Sequence, residues 1–185
     1  MEHPAATRLS PSELALRLDR LLAATETLIA EVPDAQMEYK APEGNRTLRH
    51  LAYHVFRLSL AFADGMDIGR LPGEWLQEQP PGDLRDGRAI ARYGALVRGR
   101  LTGWFEGAAP QEYARTIEVD HGLQSGHELL ERTTWQAAQH LRQLHAVLEG
   151  LSLLPREPLP TADFERLPAA REPLGTQKDR TTRKP

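Results

Sequence analysis

Two amphipathic segments carry histidines whose imidazoles could bind a metal ion or exchange a proton. His50 and His54 are four residues apart in RTLRHLAYHVFRLSLAFADG, residues 46–65, and His140 lies in TTWQAAQHLRQL, residues 133–144. Neutral imidazole is a common ligand of divalent metals, and its protonation near neutral pH also suits acid–base chemistry. Which chemistry is available depends on the direction in which each side chain points.

Helical geometry ranks these side chains by direction, because a helix advances about 100° per residue. The interior side of the first segment is defined by its apolar row, which consists of Leu48, Leu51, Val55, Leu58 and Phe62. His54 lies about 70° from the centre of that row and His50 about 110°. In the second segment His140 lies about 30° from the centre of the apolar row, and Gln136, one turn earlier, about 70°. His140 therefore faces the core, His54 and Gln136 lie at its edge, and His50 points towards solvent or a neighbour.

A core-facing imidazole needs a partner, because an unpaired buried polar group costs about 1–3 kcal/mol. Three arrangements satisfy His140: a hydrogen bond to a neighbour such as Thr25 or Thr133, a bound water, or a metal ion shared with His54 and a third group. The residues alone favour the hydrogen bond to a neighbour and leave the other two arrangements as alternatives. The segment HELLE, residues 127–131, has part of the pattern of a zinc-protease helix. A metalloprotease is not expected, because the second histidine is absent and the first and fifth residues face outward.

Four segments have the periodicity and start signals of helices of about twenty residues. They run from a capping box at Ser10 and Glu13 to Pro33, from Arg46 to a C-terminal cap at Gly65, from Asp86 to Glu106, and from a capping box at Ser125 and Glu128 to about Leu151. A short extended piece is predicted around Tyr113, Ile117 and Val119. Together these segments predict an all-α four-helix bundle domain over residues 1–154. Residues 155–185, rich in proline and charge, are predicted to form a disordered or extended tail.

Composition excludes several classes of function. The 185 residues include no cysteine, which removes disulfides, zinc fingers, iron–sulfur clusters and protein thiolate nucleophiles. The net charge is -3, so no broad basic field for nucleic acid exists. Neither a signal peptide nor a membrane-spanning run is recognisable, so no membrane partner is expected and a cytoplasmic location is predicted.

The two histidine segments together resemble the DinB-like (DinB/YfiT) superfamily of bacterial four-helix bundles. In that family a leucine-rich second helix carries a single histidine, as in LAYHV, and a later helix carries His-x-x-x-His before a RQL or GQL ending. The resemblance covers about residues 10–154. It implies an up-down-down-up bundle in which three histidines hold a divalent ion, often zinc or nickel. By position His54 matches the first ligand and His140 the last.

The middle ligand of the family pattern falls on Gln136, which is a departure. Glutamine is a poor zinc ligand, although its carbonyl oxygen suits a harder ion. Three outcomes follow for the set His54, Gln136 and His140. The site binds metal weakly through an altered third ligand, it is empty with the three side chains hydrogen-bonded together, or His50 or His121 replaces the missing imidazole.

The resemblance implies a metal-dependent enzyme, either a thiol S-transferase or a hydrolase, with a small-molecule substrate. A low-molecular-weight thiol is the expected second cofactor, because the chain has no cysteine of its own and a metal lowers the pKa of a bound thiol. The loop around Trp75 is predicted to line the mouth of the pocket.

The alternative is a non-catalytic bundle that binds a ligand or forms a homodimer, as an interaction or stress protein. A second apolar stripe on the second helix, Tyr53, Phe56 and Leu60, and Trp135 on the outer face of the last helix favour an interface. The competing interpretation of these aromatic residues is that the long loops cover them.

Overall fold

The computed structural model describes residues 8–42, 44–153, 161–165 and 167, and these form five α-helices and one three-stranded sheet. The helices are α1 Pro11–Ala30, α2 Leu48–Ile68, α3 Gly87–Gly107, α4 Pro110–Ala114 and α5 Gly126–Gly150. The strands are β1 Arg70–Leu71, β2 Thr116–Val119 and β3 Gly122–Ser125. Strand β2 lies in the middle, parallel to β1 and antiparallel to β3.

The four long helices form a bundle in which α1 and α2 occupy diagonal positions. Each of them packs mainly against α3 and α5. Gly87, at the start of α3, lies against the carbonyl of Ile29 near the end of α1, where a Cβ atom would come within 2.0 Å of the oxygen. Gly126, at the start of α5, lies against Met66 near the end of α2. These contacts make α1 and α3 antiparallel, and α2 and α5 antiparallel.

The remaining neighbours run parallel. Tyr53 stacks on Tyr93 early in α2 and α3, and Phe62 meets Trp104 later in both helices, with ring centroids 5.3 and 5.1 Å apart. The bundle therefore runs up, down, down and up through α1, α2, α3 and α5, as the family resemblance implied. Because α2 and α5 are antiparallel neighbours, residues early in α2 meet residues late in α5.

Helix starts follow the predicted caps, whereas one predicted end is wrong. Both capping boxes, at Ser10 and Ser125, are present. Gly65 does not end α2. It lies inside the helix, where a Cβ atom would be 3.3 Å from that of Leu71. The helix continues to Ile68 and is capped by Gly69, whose φ is +80°. Glycine tolerates this left-handed conformation at a helix end.

The predicted short extended piece is confirmed in part. Ile117 and Val119 lie on β2, but Tyr113 belongs to α4. The second apolar stripe of α2 is not an exposed surface, because Tyr53 and Phe56 are buried and both contact Tyr93 of α3. The stripe therefore belongs to the core of the single chain and does not support a dimer.

Part of the predicted tail packs onto the bundle. A short 3-10 helix, Thr161–Phe164, places buried Asp163 3.3 Å from Arg20 of α1, and Arg142 of α5 lies over the ring of Phe164 at 4.3 Å. The sequence pattern predicted a disordered or extended tail and gave no sign of these contacts. The other residues of the tail and the domain boundary predicted at residue 154 lie outside the described residues. No helix in the described ranges is both long and apolar enough to cross a membrane.

Candidate metal centre

The antiparallel packing of α2 and α5 brings the imidazoles of His54 and His140 together. Their ring centroids are 4.9 Å apart and their planes are inclined by 74°. An imidazole centroid lies about 3.2 Å from a zinc ion bound at about 2.0 Å, so two imidazoles at a tetrahedral angle have centroids about 5 Å apart. The observed spacing therefore fits two rings that share one ion.

Both the burial and the unmet hydrogen bonding of His54 fit a ligand role. His54 is 4% exposed, and among the described residues its Nδ1 atom has no hydrogen-bond partner. The hydroxyl groups of Thr25 and Thr133 donate to the carbonyls of Leu21 and Leu129 in their own helices, each at 2.8 Å, so neither donates to a histidine. A buried nitrogen in this state has the lone pair or the proton available for an added group.

Gln136 and His140 share one side of α5 but differ in burial. Gln136 is 3% exposed and lies one turn before His140, which is partly exposed. The side chain of Gln143 hydrogen-bonds His140. Such a bond fixes the orientation of a ring that could also bind a metal.

Both imidazoles are neutral at physiological pH. Burial is the largest of the effects that lower the pKa of His54 to about 2. The positive charge of Arg46 comes next, followed by repulsion from His140 and His50 when those rings are protonated. Burial and the charge of Arg46 lower the pKa of His140 to about 4, although the hydrogen bond between His140 and Gln143 acts in the opposite direction. Neutral imidazole is the form that binds metal, so this electrostatic state suits ligation better than acid catalysis.

The two candidate replacements for a third imidazole are placed differently. His50 is partly buried, its Nε2 atom has no hydrogen-bond partner among the described residues, and its charge acts on His54. His121 lies in the turn between β2 and β3, where it borders a separate small cavity with Asp120 and Arg132. His50 is thus the closer substitute. Among the residues that the structure describes, no three His, Cys, Asp or Glu side chains form a metal-binding group.

Arg46 is a component of the site that the sequence did not reveal. It precedes Thr47, whose hydroxyl caps α2 by accepting a hydrogen bond from the amide of His50 at 3.2 Å. The guanidinium is half-buried, and its charge lowers the pKa of His50, His54 and His140 in addition to burial. The only available signal was its spacing, since residues 46, 50 and 54 are separated by four each.

A groove of about 460 Å³ lies between the loop before α2 and the late part of α5, and Gln143 in its wall hydrogen-bonds His140. Its lining residues are Tyr39, Ala41, Pro42 and Gly44 of the loop before α2, and Gln143, Ala146, Val147 and Gly150 of α5. The loop is fixed because the amides of Leu48 and Arg49 donate to the carbonyls of Tyr39 and Met37, both at 2.9 Å. Trp75, predicted to line the pocket mouth, lies instead against Arg57 and is not part of this groove.

The HELLE segment forms no part of the site. His127 Nε2 lies 2.9 Å from the carbonyl oxygen of Leu9, and Glu131 accepts two hydrogen bonds of 2.7 Å from Arg8. Glu131 is therefore buried under the segment that precedes α1 and is neutralised there. The expectation that the fifth residue of this segment faces outward is therefore wrong, because the segment before α1 covers Glu131.

Comparison with known proteins identifies the family. A family profile described as the DinB superfamily matches residues 17–144, and the chain belongs to that superfamily. A search of curated proteins found no match.

Two solved structures from Bacillus subtilis have a similar fold. YfiT, described as a probable metal-dependent hydrolase with an unusual four-helix bundle topology, has a TM-score of 0.64 and 13% identity over 82% of this chain and 94% of its own. The DinB-like protein YjoA has a TM-score of 0.62 and 15% identity over 75% of this chain and 92% of its own. At these identities the likeness establishes the fold alone.

Proposed function

We propose that this chain is a metal-dependent enzyme that binds one divalent ion between α2 and α5 and acts on a small electrophile, by thiol transfer or by hydrolysis. The observation that carries the proposal is the pair of neutral imidazoles 4.9 Å apart, with a buried Nδ1 atom on His54 that has no partner among the described residues. The description of YfiT as a probable metal-dependent hydrolase supports the same class of chemistry.

In this proposal His54 and His140 are the main ligands and Gln136 is the third. The two helices hold the imidazoles in place before metal arrives, because His54 is enclosed by the core and Gln143 orients His140. A bound divalent ion supplies Lewis acidity, which lowers the pKa of a coordinated thiol or water. An amide oxygen binds zinc more weakly than a third imidazole would, so we expect modest affinity and an open coordination position.

Restoring the missing imidazole tests the assignment of Gln136. We expect Gln136→His to raise the affinity for Zn²⁺ or Ni²⁺ by about tenfold or more, since an imidazole replaces an amide in the ligand set. Affinity is measured by competition with a chromophoric chelator, after removal of metal. The matched control is Gln111→His, which makes the same exchange at an exposed position of α4 and should leave affinity unchanged.

Removing either main ligand tests the centre itself. Elemental analysis after metal reloading should find an ion in the native protein and none in His54→Leu or His140→Leu. Metal content that survives both substitutions would place the ion elsewhere. Unchanged affinity in Gln136→His would show that residue 136 does not reach the ion.

The second candidate is a ligand-binding bundle without metal, and a specific observation favours it. The positive charge of Arg46 acts on the same imidazoles that would hold a cation, and Gln136 stands where a stronger ligand is expected. Both features weaken cation binding. Absence of metal uptake in the native protein, together with binding of an organic ligand, would favour this candidate.

A further inference from the structure

We propose that the substrate of this site is a small monocarboxylate with an apolar tail, whose carboxylate pairs with Arg46 beside the histidines while its tail lies in the adjoining groove. As a statement about the substrate this rests on the proposed function, whereas binding of the carboxylate itself requires no metal. The inference depends on three features. Arg46 has no carboxylate partner and two buried imidazole nitrogens have no hydrogen-bond partner, in each case among the described residues. The third feature is an apolar groove whose walls carry Gln143, which hydrogen-bonds His140, and Gly44, two residues before Arg46.

Arg46 differs from Arg57 and Arg98 in having no carboxylate partner among the described residues. Arg57 pairs with Glu78 at 2.6 Å and Arg98 with Asp19 at 2.8 Å, whereas no carboxylate among the described residues forms an ion pair with Arg46. A cation that is partly removed from water without a partner is unfavourable, and a bound anion would offset that cost. A guanidinium fork also matches the two oxygens of a carboxylate.

Two buried histidine nitrogens are a second, independent observation that points to a ligand. His54 Nδ1 and His50 Nε2 are buried and have no hydrogen-bond partner among the described residues. The amides in the first turn of α2 cannot take that role. Those of Leu48 and Arg49 donate to loop carbonyls, and that of His50 donates to Thr47. An anion at this position would therefore be held by side chains.

The charge nearby favours a monoanion. Arg49, the next arginine along the chain, is engaged with Glu38 at 2.7 Å. Lys40, whose backbone pairs with that of Thr47, is exposed to water, so Arg46 is the partly buried cation without an ion pair at this place within the described part of the chain. A carboxylate matches one positive charge, whereas a phosphate monoester carries close to two negative charges.

The groove is placed to receive the apolar part of such a molecule. Gly44 on one wall is two residues from Arg46, and Gln143 on the other wall hydrogen-bonds His140. Ala146 and Val147 give the α5 wall an apolar surface. Its volume of about 460 Å³ lies in the usual range of small-molecule pockets, about 300–1,000 Å³.

Calorimetric titration of the full chain, freed of metal by a chelator, tests the proposal with four probes: octanoate, acetate, octanamide and octyl phosphate. We expect octanoate to bind at least about tenfold more tightly than acetate, which lacks the tail, and than octanamide, which lacks the charge. Octyl phosphate should bind no more tightly than octanoate. Histidine ring resonances in NMR spectra of the same samples should shift with octanoate.

Two arginine variants separate a specific contact from general charge. Arg46→Gln should weaken octanoate binding by about tenfold or more and leave octanamide binding unchanged. Arg49→Gln removes a neighbouring cation that already has a partner, so it should change octanoate binding by less than about twofold. Arg46→Lys retains the charge but not the two-pronged guanidinium, so its affinity for octanoate should lie between those of Arg46→Gln and Arg49→Gln. A thermal melt of each variant establishes that it is folded.

Several results would overturn the proposal: no octanoate binding by the native chain, equal losses in Arg46→Gln and Arg49→Gln, or equal binding of octanamide. Tighter, Arg46-dependent binding of octyl phosphate would replace the carboxylate by a phosphate. Metal titration of the same samples keeps the two proposals apart. Octanoate binding without metal uptake rejects the metal function alone, and metal uptake without Arg46-dependent octanoate binding rejects this inference alone.

Discussion

Arg46 and Arg57 lie eleven residues apart, just before and within α2, and their surroundings are opposite. Arg57 is 8% exposed, donates to both oxygens of Glu78 at 2.6 and 3.0 Å, and lies 5.6 Å from the ring centre of Trp75. These contacts hold the turn around Trp75 onto α2. Arg46 is half-buried, and no carboxylate among the described residues pairs with it.

The pKa shifts of the two arginines express this difference. Burial opposes the charge on Arg57, but the hydrogen bond and negative charge of Glu78 outweigh it, so the pKa of Arg57 is raised. Burial alone acts on Arg46 and lowers its pKa. A buried cation with its own carboxylate is an internal structural contact. A half-buried cation whose charge acts on neutral imidazoles, and which has no carboxylate partner among the described residues, can still pair with a ligand.

Acidification, through the histidines next to Arg46, should lower the free energy of unfolding more than any substitution considered below for Arg46, Arg57 or Glu78. The folded-state pKa values of His54 and His140, about 2 and 4, lie below the usual value of 6.5, so the unfolded chain binds more protons as the pH falls below about 6.5. The stability that these neutral imidazoles contribute is complete above that pH. It is lost towards pH 4 for His140 and further down for His54.

Urea denaturation of metal-free protein measures this loss. Each imidazole contributes a slope of up to about 1.4 kcal/mol per pH unit. Between pH 6.5 and 4.5 we expect the native chain to lose about 2–4 kcal/mol more than the double variant His54→Leu/His140→Leu. At pH 7.5 the double variant should be at least as stable as the native chain, since leucine fills a core position without unmet polar atoms. Parallel pH profiles of the two proteins would contradict the assignment.

The paired region should respond instead to loss of its carboxylate. Glu78→Ala leaves Arg57 as a buried charge without its partner, which should cost about 2–3 kcal/mol of unfolding free energy at neutral pH. The figure is below that for a fully enclosed pair because the Glu78 side chain is 45% exposed. Chemical denaturation of Glu74→Ala, an exposed carboxylate in the same turn, serves as the control and should show a change within about 0.5 kcal/mol. Equal effects of the two variants would mean that the Arg57 pair contributes little.

The contrast between the regions also explains how much the sequence could predict. Helical period fixes the direction of each side chain around its own axis, and the antiparallel neighbours α2 and α5 then bring His54 and His140 together. Capping boxes fixed the starts of α1 and α5 for the same local reason, since Ser10 and Ser125 act on amides only three residues away. The prediction that a metal binds there with Gln136 remains a prediction.

What the sequence did not predict depends on loops and on contacts between distant segments. The setting of Arg46 and the groove depends on the loop before α2, which is held by backbone hydrogen bonds such as that from Leu48 to Tyr39 that no side-chain period encodes. The pattern of Tyr53 and Phe56 favours an interface, because no local signal in the sequence indicates that Tyr93 of α3 covers these two side chains. The sequence predicts a helix end at Gly65, whereas in the structure the absence of a side chain there allows the close approach of Leu71.

The smallest expected effect belongs to Arg46, and it decides whether the comparison of the two arginines is right. Arg46→Gln removes a half-buried charge that has no ion-pair partner among the described residues, so unfolding free energy at neutral pH should change by less than about 0.5 kcal/mol or rise slightly. Arg57→Gln, the same exchange in the paired region, should cost about 2 kcal/mol or more because it breaks a bidentate buried pair. Both values come from urea denaturation in one buffer. A loss in Arg46→Gln as large as that in Arg57→Gln would mean that Arg46 is a structural contact like its counterpart, and the difference in ion pairing would no longer distinguish a ligand site from an internal bond.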